Sequence, residues 1–309
     1  MRLTLFSFFI TVITLQFNTA QAQAPQDSSV DVLPHWKKGE GHTVQVKSAT
    51  NIFNNGKTQN TVSTFDGKFT VLEKNDTAYI IEWVYTGIKL AENDPVLENQ
   101  VAARLVNTKI VFRLTEVGRF AELINVDEVR AAANKAIDGL IAGSVDNQAM
   151  SVQFKTVKQL ISTKQGLEIT LLKQIKFYNF SFGFNYKLHY VQTNNLKYPN
   201  PLGGPPFDAV EKVQLTKLDT RNTVCVIETS KTIDGTILKK SVVDYVTKVS
   251  KAGAAEVEAE LGNNKLEISE STMQQIDFAK GTLQKSFYRK TMNLGFQSMV
   301  TTLEIETVE

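Results

Sequence analysis

Sulfur and imidazole are scarce in this chain, with one cysteine and three histidines in 309 residues. One thiol cannot close an internal disulfide, and a chain this long buries enough surface to do without one. Cys225 sits in an apolar strand pattern and reads as a small buried hydrophobe. His35, His42 and His189 are scattered, so the sequence spells out neither a closed zinc site nor a Cys–His nucleophile pair. A Gly-x-Ser-x-Gly elbow, a phosphate-binding glycine loop and a His-Glu-x-x-His helix are all missing. No metal, cofactor or catalytic residue is expected from these patterns. Asp and Glu are plentiful enough for a carboxylate pair, but no spacing singles one out.

A charge excess is also lacking. Thirty-four Lys and Arg face 32 Asp and Glu, for a net charge of +2. That balance offers no electrostatic footprint for nucleic acid or for an anionic membrane surface. Long apolar runs are confined to the N-terminus. Arg2 precedes the apolar stretch from Leu3 to Phe17, and Ala20-Gln21-Ala22 fits a small-x-small cleavage site. Cutting after Ala24 would leave Pro25 at the new terminus, so cutting after Ala22 is preferred. The alternative is an uncleaved anchor, for which the run is short. No cysteine lies near the cleavage site to take a lipid. The expected location is therefore secreted or periplasmic, with no transmembrane segment once the signal is removed. Residues 1–22 read as signal peptide and 23–34 as a flexible leader. Residues 35–309 read as one β-rich domain in two similar halves, about 35–190 and 191–309.

What is present is mainly strand. Val44 and Val46 alternate with polar residues, and Asn54-Asn55-Gly56-Lys57 is a strong hairpin signal because Asn-Gly accepts positive φ. Asp66-Gly67 reads as a bulge or turn, and Lys74-Asn75-Asp76 as a turn. Thr77 to Tyr85 is apolar on both faces, as a central buried strand would be. After Asn125 the period changes from 2 to 3.6. Asn125 with Glu128 has capping-box spacing for a helix closed by Gly143. A second helix is expected over about 146–161. A third runs from a Ser162 cap with Gln165 through Leu167, Leu171, Ile175 and Tyr178. Residues 237–261 read as helix with a weak point at Gly253, and 199–206 as a Pro/Gly surface loop. Leu72–Glu82 can be laid on Leu218–Glu228, which places Glu82 and Glu228 at equivalent positions and points to an internal duplication.

The stretch 177–190 stands out. Phe180, Phe182, Phe184, Tyr186, Leu188 and Tyr190 alternate with Ser181, Gly183, Asn185, Lys187 and His189. On a strand that spacing makes one aromatic face and one polar face. Two readings follow. Phe180, Phe182, Phe184, Tyr186 and Tyr190, with Trp83, line a groove for a lipid or other hydrophobic small molecule. Alternatively they are core beneath the helices of 125–178.

The signal ending Ala-Gln-Ala, Trp36-Lys37-Lys38-Gly39-Glu40, Leu160-Ile161-Ser162, Phe177 to Gly183 and Asn200 to Gly204 together resemble secreted bacterial envelope proteins of unknown function. In architecture the pattern is similar to the periplasmic lipoprotein carriers. That resemblance implies an α+β, mainly antiparallel fold, a curved sheet or half-barrel with helices packed on one face. Fold does not fix function. The first expectation is a non-enzymatic binder of a lipid or other apolar ligand. The second is a structural or protein-interaction component of the cell envelope, with an envelope protein as partner. A secreted hydrolase is third.

Overall fold

The computed structural model describes residues 28–54, 56–90, 104–143, 148–250, 253–262 and 266–308. The expected signal peptide and the acidic stretch 91–98 lie outside them. The fold is the expected one: a large, curved, unclosed antiparallel sheet with helices on one face, plus a two-stranded sheet.

Strand β1 (Ser29–Val32) begins the described chain. Five strands then step outward as a meander: β2 (Gly41–Asn54), β3 (Lys57–Lys74), β4 (Ala78–Leu90), β5 (Lys109–Thr115) and β6 (Phe120–Leu123). Helices α1 (Val126–Gly143), α2 (Gln148–Leu160), α3 (Lys164–Leu171) and α4 (Lys173–Tyr178) follow. The chain continues through the short β7 (Phe184–Lys187) to β8 (Val191–Tyr198), at the opposite edge of the large sheet. It then steps inward through β9 (Phe207–Asp219) and β10 (Val224–Ile233). Helices α5 (Gly235–Ser250) and α6 (Ala254–Leu261) intervene before β11 (Glu267–Asp277), β12 (Thr282–Asn293) and β13 (Gln297–Val308). The eleven strands lie in the order β6-β5-β4-β3-β2-β13-β12-β11-β10-β9-β8, so the last strand closes against the first long one in mid-sheet.

The turn chemistry explains the meander. Asn54 pairs with Lys57 and Gly56 has φ 74°, as a tight hairpin requires. The Asn75 side-chain oxygen accepts from the amides of Thr77 and Ala78 and closes the β3–β4 turn. At Gly67 the β3–β4 register shifts, and an added Cβ would come within 2.9 Å of the Trp83 ring. Glycine there lets backbone and indole approach closely.

Side chains from one face of the sheet, together with α1–α4, form the larger core. It includes Trp36, Phe69, Ile81, Trp83, Phe112, Ile137, Ile175 and Phe182, and it reaches Cys225, Ile227 and Ile305 of the second half. A smaller core lies under α5 and α6, built from Tyr198, Phe207, Leu238, Val242, Val257, Leu261 and Ile268.

Several expectations need correction. Residues 29–34 are not a loose leader: β1 pairs with β7, and Val30 and Val32 are buried. Stretch 177–190 is not one strand. Helix α4 continues to Tyr178, turns occupy 179–183, and only 184–187 are extended in β7. The Leu167–Tyr178 period is helical, and it outweighs the period-2 aromatics at the junction. Gly183 and His189, at φ 83° and 62°, end the extended run on both sides. The single expected helix over 162–178 breaks at Leu172, and its cap is Thr163, whose hydroxyl accepts from the Gly166 amide at 3.0 Å. Asn125 does not cap α1 with its side chain. Its amide bonds the backbone of β5 instead, taking the Val111 N–H at 2.8 Å and donating to the Lys109 carbonyl at 2.9 Å.

Candidate functional site

The aromatic residues singled out in the sequence do not share one surface. Trp83 and Phe182 are fully buried, and Tyr186 is buried with its hydroxyl donating to the Ser181 carbonyl. Phe182 packs on Trp36 at a ring distance of 5.7 Å, and Trp83 meets Tyr178 edge-on at 6.1 Å. Phe180, Phe184 and Tyr190 are exposed, Tyr190 by 63%. The Lys231 ammonium lies over the Phe180 ring and the Arg119 guanidinium over the Phe184 ring, the latter at 4.0 Å. The alternation therefore divides into core rings and surface rings, and cations cover two of the surface rings, Phe180 and Phe184.

Glu82 and Glu228 are not a buried catalytic pair. Glu82 forms an ion pair with Lys109 at 2.9 Å, and exposed Glu228 accepts from the Thr216 hydroxyl. Cys225 is buried, and burial together with the Asp277 carboxylate pushes its thiol up to about 12, far from a nucleophilic thiolate. Among the described residues no group of three His, Cys, Asp or Glu is arranged to hold a metal ion.

The second half carries a feature that the sequence pattern did not mark. On the face that bears the helices, Glu270 accepts a hydrogen bond from the Tyr198 hydroxyl at 2.7 Å, and the Lys290 ammonium stands 3.9 Å away. Lys231 pairs with Glu211 at 3.4 Å. Burial and the neighbouring Glu270 carboxylate push the Tyr198 and Tyr288 hydroxyls above their ordinary range, so both stay protonated donors. Each charge in this seam faces one of opposite sign, so it closes on itself as a structural network.

An apolar groove of about 430 Å³ opens at the outer end of the same half. Tyr245, Val246 and Val249 of α5, Val257 and Leu261 of α6, and Phe296 of the β12–β13 turn line it, and Glu260 is its one charged group among the described residues. The Tyr245 and Phe296 rings stack at 6.4 Å. Val249 is 60% exposed and Phe296 41%, so these side chains are held in water rather than packed away. The groove exists because α5 is amphipathic over more than one face: Leu238, Val242 and Val243 seat it on the smaller core, which leaves Tyr245 and Val249 outward. Gly295, at φ 86°, lets the β12–β13 turn bend back over Leu261, whose methyl lies 2.6 Å from where a Cβ would stand. In the sequence Tyr245 and Val249 fall within the expected helix 237–261 without being singled out as site residues, and Phe296 is not marked at all. A residue in a turn has no periodicity to betray its partners.

No helix of the described residues is long and apolar enough to cross a membrane. No known protein family matches this sequence, and no curated protein does. Several solved structures overlap its fold, three of them as follows. A lipovitellin structure concerned with lipid–protein interactions is 10% identical over 88% of this chain, with a TM-score of 0.44. This chain spans 25% of that lipovitellin chain. DynF from the dynemicin biosynthesis pathway of Micromonospora chersina is 8% identical, covering 93% of this chain and 85% of its own, with a TM-score of 0.20. A domain assigned to outer membrane lipoprotein sorting in Vibrio parahaemolyticus is 9% identical, covering 87% and 84%, with a TM-score of 0.19. All three overlaps are loose and carry no argument about function.

Proposed function

We propose that this protein is a non-enzymatic binder of an apolar molecule of the lipid class, and that the ligand occupies the groove between α5, α6 and the β12–β13 turn. The observation that carries this reading is the water-facing Tyr245–Phe296 stack with Val249 and Val257 beside it. Exposed apolar side chains gathered in a concave site favour a ligand that removes them from water. The volume lies within the usual range for small-molecule sites, about 300–1,000 Å³. Glu260 at the rim disfavours a carboxylate headgroup and leaves a neutral one as the better fit. In this reading the protein works outside the cytoplasm, after its N-terminal signal is removed. The two halves descend from one duplicated unit, because the aligned segments fall on equivalent hairpins, β3–β4 and β9–β10.

The test is titration with a fluorescent monoacylglycerol. Saturable binding is expected, weakened at least tenfold by Val249→Ser with Phe296→Ser, while the melting temperature holds. The comparison variant is Phe184→Ser, in the aromatic stretch first singled out. Binding lost with Phe184→Ser but kept in the groove variant would move the site to Phe180, Phe184 and Tyr190. No saturable binding by the unaltered protein would overturn the function itself.

A further inference from the structure

The two edges of the eleven-stranded sheet are finished in different ways. Edge strand β6 is four residues long, and α3 covers it. The Glu168 carboxylate accepts the Leu123 amide at 3.3 Å, and Lys164 bonds Glu122 at 3.0 Å. Short length and a covering helix are common ways to keep an edge from pairing. Edge strand β8 has neither. It runs eight residues, pairs with β9 without a register shift, and has no neighbour on its other side among the described residues. No proline interrupts Val191–Tyr198. A long, straight, unprotected edge is a template for another strand.

The chemistry of β8 favours one particular partner. Its single charged residue is Lys197, and Asp208 on β9 holds that charge at 2.6 Å. Two antiparallel copies of this strand, related by a twofold axis perpendicular to the sheet, must pair about a central residue. Centred on Asn194, the pairing sets Lys197 against Val191 of the other copy; centred on Asn195, it sets Lys197 against Thr193. Neither register opposes two lysines. The rest of the strand is amide, hydroxyl and apolar, so it meets itself without repulsion. Val191, 43% exposed, and Val210, which pairs with Asn195 on the outward face, would be shielded by the Lys197 stem and its neighbours.

We infer that β8 pairs with β8 of a second copy of this chain, making an isologous dimer whose two sheets continue into one another across a twofold axis. The inference rests on the sheet edge and not on the ligand groove, so either can fail alone. The test is sedimentation equilibrium of the whole protein over micromolar to near-millimolar concentrations, with hydrogen exchange of the β8 amides at both ends of that range. A monomer–dimer equilibrium is expected, with β8 protection rising with concentration. Thr193→Lys with Asn195→Lys places like charges opposite one another at side chains that face water in the monomer. It is expected to raise the dimer Kd at least tenfold with an unchanged melting temperature. A protein that stays monomeric throughout overturns the inference. So does a dimer indifferent to the double lysine change, because its interface is then elsewhere. Protection of β8 that appears only on adding a foreign extended peptide also overturns it, and gives the edge to another partner.

Discussion

The two helix-covered regions of this sheet solve the same problem at different depths. Under α1–α4 the core is thick and ring-rich, and Trp36, Phe69, Trp83, Tyr178 and Phe182 contact one another within it. Under α5 and α6 the core is thin. Tyr198 and Phe207 are its buried aromatics, and the apolar residues left over are displayed in a groove. Four helices can enclose their apolar side chains on all sides, whereas two helices leave a flank open. The difference separates a part of the molecule whose apolar side chains are enclosed from one that leaves apolar surface open to water.

The strongest challenge to that contrast is to hollow each core in turn. Trp83→Ala removes a fully buried indole from between Tyr85 and Tyr178 and should cost about 3–5 kcal/mol, read by chemical denaturation. Leu238→Ala should cost about 2–3 kcal/mol, because a thin core can settle around the gap. Hydrogen exchange sharpens the comparison. Leu238→Ala is expected to loosen α5, α6 and β8 while β3 and β4 stay protected. Equal loosening of both regions would mean the two cores act as one.

A smaller effect separates two residues two positions apart in sequence, one in the turn and one at the start of β7. Phe182→Ser leaves a cavity beside Trp36 and should cost about 3 kcal/mol or more. Phe184→Ser removes an exposed ring under Arg119 and should cost about 1 kcal/mol or less. Similar losses for the pair would restore the aromatic stretch as a single surface.

The smallest effect concerns pH. Burial holds the His42 imidazole below its ordinary value of 6.5, with nearby Lys280 acting the same way and Glu40, at 3.5 Å, opposing both. The unfolded chain therefore takes up this proton at a higher pH than the folded chain. Unfolding binds protons in that window, and the group's contribution to stability falls as the pH drops through 6.5. His42→Gln should flatten the decline in melting temperature between about pH 7 and pH 5. An unchanged slope would assign the decline to other groups.

Much of the fold was legible because it is written in local chemistry. Asn-Gly at 55–56, Asn75 and the Pro/Gly loop at 199–206 announce turns through backbone geometry alone. The apolar run from Thr77 to Tyr85 announces a strand, but its two apolar faces suggest burial on both sides, whereas Ile81, Trp83 and Tyr85 are buried and Ile80 and Val84 only half-buried. The aromatic stretch misled because Tyr178 belongs to both a helical and an alternating pattern, and the sequence does not say which period wins. Asn125 was misassigned because an asparagine before a helix can bond the helix or its neighbour. Here the β5 backbone lay within reach.

By itself, then, the sequence determined the fold class, the turns, the burial of Cys225 and the absence of any recognisable catalytic motif. Each follows from side-chain period or residue chemistry acting over a few neighbours. Tertiary structure alone decided that β13 closes on β2, that Phe182 is core while Phe184 is surface, and that Tyr245 meets Phe296 at a groove. Those facts join residues tens to hundreds of positions apart, and their pairing depends on how strands and helices stack, which no local pattern encodes.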